Sequence, residues 1–136
     1  MNYRDFYSEV GKLLYAIAKA DGHIQKHEFE KLREVVTNVL VPAEMHKDAH
    51  GTDTAWYAEI EFDYLEENLS DPQAAFESFV SYVEKHKTAI TPELRDRIYV
   101  CARELAKAYR GITSSESTVL INLWDEMTRI FKNQTI

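Results

Sequence analysis

Cysteine occurs once in this chain of 136 residues, at Cys101. An internal disulfide is therefore excluded, and so is any redox chemistry that needs a pair of thiols. Glycine and proline are almost as scarce, at four and three positions, against 45% hydrophobic and 12% aromatic residues. That balance excludes a disordered or low-complexity chain and leaves enough apolar material for one buried core. No apolar run approaches the roughly 20 residues that span a bilayer. The opening Met1-Asn2-Tyr3-Arg4-Asp5 lacks the basic-then-apolar order of a signal peptide. No stretch alternates at period two, so no sheet is expected. These absences together predict a cytoplasmic, all-α, single domain over residues 1–136, without membrane insertion. A Ser-His-Asp set, a glycine-rich phosphate loop and a diagnostically spaced carboxylate pair are also missing, so the expectation is a protein that is not an enzyme and has no bound cofactor.

Positive charge is missing from one region above all. Residues 53–71 hold Asp53, Glu59, Glu61, Asp63, Glu66, Glu67 and Asp71 with no lysine or arginine, which accounts for the whole net charge of −7. A field of that sign repels nucleic acid and anionic lipid and attracts cations or basic protein surfaces.

What is present is helical periodicity. Residues 2–20 place Tyr3, Phe6, Val10, Leu13, Leu14 and Ile17 on one arc, with Arg4, Asp5, Ser8, Lys12 and Lys19 opposite. A second helix over 26–41 turns Phe29, Leu32, Val36, Val39 and Leu40 inward and stops at Pro42. Residues 42–53 read as the longest loop. A third helix over 54–68 carries Ala58, Phe62, Leu65 and Leu69 as its core stripe and Glu59, Asp63, Glu66 and Glu67 on another face. Ser70-Asp71-Pro72 and Thr91-Pro92 start the fourth and fifth helices, proline taking the first helical position. The fourth, over 72–87, buries Phe76, Phe79, Val80 and Val83; the fifth buries Leu94, Ile98, Cys101, Ala102, Leu105 and Ala108. Thr113-Ser114-Ser115-Glu116 has capping-box spacing, and the sixth helix then runs to about 132 with Leu120, Leu123, Trp124, Met127 and Phe131 inward.

The corner between the first two helices organises the rest. Gly22 can end a helix in a left-handed conformation, Ile24 dips back toward the core, and a new helix starts near Glu28. The same corner recurs 88 residues on: Ala18, Lys19, Ala20, Ile24, Glu28 and Leu32 are identical to Ala106, Lys107, Ala108, Ile112, Glu116 and Leu120. Ile17 likewise matches Leu105 in kind, Val35 matches Leu123, and Val36 matches Trp124. We read an internally duplicated helix–corner–helix unit whose copies share one core.

Ala20-Asp21-Gly22-x-Ile24-x-x-x-Glu28, between a small-residue-rich helix and an amphipathic one, resembles the TerB family. That family comprises the tellurite-resistance TerB proteins and the related N-terminal domain of a membrane-anchored DnaJ-type co-chaperone. The resemblance covers most of the chain and rests on Asp21, Gly22, Ile24 and Glu28, then Ile112 and Glu116. It implies an all-helical, internally duplicated bundle of about six helices, associated with stress response and tellurite resistance, and it carries over no catalytic mechanism. The second half departs from the pattern, with Tyr109 and Arg110 where Asp21 and Gly22 stand in the first. A site needing matched acids from both copies is therefore incomplete.

Two functional readings stand. In the first, Glu59, Asp63, Glu66 and Glu67 dock a basic protein partner; Arg103, Lys107 and Arg110 on the fifth helix could instead neutralise these acids, within the fold or across a homodimer. In the second, Asp21, His23, His27 and Glu28 hold a divalent cation such as zinc. His23 and His27, like His46 and His50, are four residues apart, which puts two imidazoles on one face if the segment is helical. Calcium binding of EF-hand type is excluded, because Ile17 and Lys19 occupy the two oxygen-ligand places before Asp21. The plainer role for Asp21 and Glu28 is to bond backbone amides around the corner. Trp56 and Tyr57 read as core or rim, and Cys101 as a small buried hydrophobe.

Overall fold

Helix α1 (Tyr3–Ala18) starts where the Asn2 side chain accepts the Asp5 N–H at 3.2 Å. Six consecutive residues of it, Leu13 to Ala18, are buried. The sequence predicts a single apolar arc, yet Tyr15, Ala16 and Ala18 are as closed to solvent as Leu13 and Ile17. The reason is its place: α1 lies at the centre, packed by four of the other helices, so its second half has no water-facing side.

The computed structural model describes residues 1–20, 24, 26–40, 54–107 and 114–132, except for the side chains of 26–28, 39 and 40. Among them lie six α-helices and no strand: α1, α2 (Lys26–Val35), α3 (Tyr57–Glu67), α4 (Pro72–Lys85), α5 (Pro92–Ala106) and α6 (Ser114–Phe131). The chain is an all-α bundle. No helix among the described residues is long and apolar enough to cross a membrane. Helices α3, α4, α5 and α6 surround α1, while α2 packs on α5.

Local chemistry sets the boundaries. Asp71 caps α4 by accepting the Gln73 N–H at 3.2 Å, Thr91 caps α5 by accepting from Leu94 at 3.2 Å, and Pro72 and Pro92 sit in the first turns. Helix α2 relaxes into a π-helix over Val36–Leu40. The run Val35-Val36-Thr37-Asn38-Val39 is made of β-branched residues and asparagine, poor α-formers that crowd the preceding turn. A 3₁₀ turn, Thr54–Trp56, leads into α3.

The two halves related by the 88-residue offset do share one interior: α1 packs on α5 and α6, and α2 packs on α5. Ile24 is half-buried against the core. Gly22, Ala108, Ile112 and residues 42–53 lie outside the described residues. Glu116 is buried at the start of α6.

Six expected core positions are not fully buried. Leu69 is 76% exposed, because α3 ends before it. Its φ of 48° puts it at the left-handed position of a Schellman cap, with Ser70 N–H donating to the Leu65 carbonyl at 3.0 Å. Trp124 is 60% exposed and Phe29 37%, while Val80, Leu94 and Leu120 are half-buried. Cys101 is fully buried as expected, and burial pushes its thiol up to about 12, so it stays protonated and unreactive at neutral pH.

Candidate functional site

The acidic segment becomes α3, and α3 is gripped from within. Ala58, Phe62 and Leu65 point inward. Phe62 meets Tyr15 of α1 edge-on at 5.9 Å and Phe29 of α2 at 5.8 Å between ring centroids. The α1 and α3 backbones come so close at Gly11 that a side chain there would run into the Ala58 carbonyl and the Glu61 Cβ. The Tyr15 hydroxyl donates to the Ser70 carbonyl at 2.6 Å, fixing the far end of α3.

The four acids expected to form one docking face divide into two pairs. Glu59 accepts from Arg33 Nε of α2 at 3.1 Å, and Glu66 accepts from Lys19 Nζ at 3.3 Å. Both contacts are made at the flanks of α3, where the carboxylates help to hold α3 onto its neighbours. Asp63 and Glu67 point outward and are exposed. Partial burial and the neighbouring Glu59 raise the Asp63 carboxyl above its ordinary value of 3.8, with Arg33 opposing and Glu67 adding. Between and beside these outward acids stand Ile60 and Tyr64, 56% and 58% exposed.

Arg103 and Lys107 have no ion pair among the described residues, and Arg110 lies outside them. Among the described residues, internal neutralisation of these acids runs through Arg33 and Lys19, two cations that the sequence pattern did not single out for this role. Trp56 and Tyr57 are half-buried against the core beside α3.

For the metal reading, Asp21 and His23 lie outside the described residues, as do the side chains of His27 and Glu28. Among the described residues no group of three or more His, Cys, Asp or Glu is placed to hold a metal ion.

Ile60 and Tyr64 were missed as surface features, although a signal existed. They stand four apart, on the side of the helix away from Phe62, and form a second apolar stripe among the acids. Gly11, within a helix, was the other overlooked sign, since glycine there marks a close approach of two backbones. No protein-family model matches the chain, and no curated protein or solved structure does either.

Proposed function

We propose that this chain is a non-enzymatic, TerB-like helical interaction module of the cytoplasm, associated with stress response, that docks a basic protein partner through the outer face of α3. The observation that carries the reading is the pairing on that face of two exposed apolar side chains, Ile60 and Tyr64, with two outward carboxylates, Asp63 and Glu67. Apolar anchors supply contact area and the acids supply steering and selection. Glu59 and Glu66 then hold the docking helix in place, as their partners Arg33 and Lys19 belong to neighbouring segments.

The test is affinity purification from the native cell with the unaltered chain and two variants, Ile60→Asp and the double charge reversal Asp63→Lys/Glu67→Lys. A basic partner retained by the unaltered chain and lost by both variants, each with an unchanged circular dichroism melt, is the expected result. Retention of every partner by the charge-reversed chain would end the proposal.

A further inference from the structure

A second apolar surface lies on α5 and α6. Tyr99 and Arg103 of α5 and Ser117, Leu120, Ile121 and Trp124 of α6 line a groove of about 320 Å³. Moving each of these six residues back by the repeat offset of 88 gives Gly11, Tyr15, Phe29, Leu32, Arg33 and Val36. Four of that second set seat α3. Gly11 meets Ala58 and Glu61, Tyr15 and Phe29 meet Phe62, and Arg33 meets Glu59. Leu32 and Val36 are buried, whereas their counterparts differ: Leu120 is half-buried and Trp124 is 60% exposed, beside Ile121 at 58%. One half of the molecule has its groove filled by an acidic amphipathic helix, and the other half has the matching groove open.

We infer that the α5–α6 groove receives an acidic amphipathic helix from another protein, seated as α3 is seated on α1 and α2. Arg103 is the one charged residue in the lining, and it has no ion pair among the described residues. Lys107 follows one turn later and is exposed. In a chain of net charge −7, an apolar groove whose lining charge is positive selects carboxylates beside the partner's apolar ridge. Tyr99, standing where the first half has Gly11, packs its ring 5.2 Å from that of Trp124. It keeps the incoming backbone further out than α3 lies on α1, so the guest reaches in with long side chains rather than with a close backbone contact. A second copy's α3 already spends its Ala58, Phe62 and Leu65 face on its own neighbours and offers only the outer Ile60 and Tyr64 stripe, so it cannot seat as α3 seats on α1 and α2.

The inference is independent of the docking role proposed for Asp63 and Glu67, and its test leaves those residues of the chain untouched. The probe is a fluorescein-labelled peptide of residues 54–71, the α3 sequence itself, titrated into the full chain and followed by anisotropy. Saturable binding is expected, weakened about tenfold or more by Trp124→Ala or Ile121→Asp in the chain, as for anchors at the centre of an interface. A peptide with lysine in place of Glu59, Asp63, Glu66 and Glu67 should bind the unaltered chain less tightly, and Arg103→Glu in the chain should reverse that order. Arg103 and Trp124 are exposed, so these variants retain the fold, which a circular dichroism melt checks. Absence of saturable binding, indifference to Trp124→Ala and Ile121→Asp, or an unchanged charge preference in Arg103→Glu would each overturn the inference. So would a homodimer in sedimentation that Ile121→Asp dissolves, since the groove's occupant would then be a second copy.

Discussion

The half built on α1 and α2 and the half built on α5 and α6 carry the same sequence pattern and meet opposite fates. In the first, α3 packs on Gly11, Tyr15 and Phe29, and Val36 is buried in the π-helix that packs on α5 and on the 3₁₀ turn before α3; in the second, Trp124 stands in the same register as Val36 and is 60% exposed. The difference lies outside the repeated residues. Between the two copies the chain inserts α3 and α4, and α3 folds back on the first copy, leaving the corresponding face of the second uncovered. A buried large side chain and its exposed counterpart are thus distinguished by what the intervening chain covers.

The largest test of this contrast is a pair of truncations. Phe62→Ala empties the seat between Tyr15 and Phe29 and should cost about 3–5 kcal/mol of stability, as for aromatic truncations in cores. Trp124→Ala on the uncovered half should change stability by about 0.5 kcal/mol or less, like other exposed substitutions. Urea unfolding measures both; equal losses would break the comparison. Next in size, Gly11→Ala pushes a methyl into the Ala58 carbonyl and should destabilise by about 1–3 kcal/mol, the usual range for overpacking. Tyr15→Phe removes the hydrogen bond to the Ser70 carbonyl and leaves that acceptor in a half-buried site, for a loss of about 1–2 kcal/mol by the same assay. At its counterpart, Arg103→Met should be close to neutral for stability.

The smallest effect concerns Asp63. Its folded carboxyl titrates above 3.8, the direction that penalises the charged form, so the group opposes folding once pH has risen through its folded value. Below 3.8 the proton is bound in both states and the penalty vanishes. Because the side chain is exposed, solvent screens the effect. Asp63→Asn should raise the melting temperature slightly at pH 7 and leave it unchanged at pH 3, as read from paired thermal melts at the two pH values.

Much of this architecture was legible from residues alone. The Asp71-Pro72 and Thr91-Pro92 starts were visible because a cap and a following proline act locally, within one turn. The central stripe of α1 was visible because its period is its own. What escaped was coverage. Leu69 fits the α3 apolar spacing, but the helix stops at Glu67 and the chain turns left-handed, which carries that side chain into solvent. Trp124 follows Leu123 by one residue, about 100° around the helix, so whether it is covered depends on a neighbour that no local pattern specifies. The same limit applied to the acids: periodicity put Glu59, Asp63, Glu66 and Glu67 on one broad face, while tertiary packing drew Glu59 to Arg33 and Glu66 to Lys19 and left the other two facing out.

The relation between the filled and the open groove is tested most directly by amide chemical shifts of the ¹⁵N-labelled full chain during titration with the unlabelled 54–71 peptide. The account predicts that the perturbations gather on Tyr99, Arg103, Leu120, Ile121 and the Trp124 indole, leaving Gly11, Tyr15 and Phe29 unmoved. Perturbations centred on the α1–α2 seat, or scattered with no focus between α5 and α6, would contradict it.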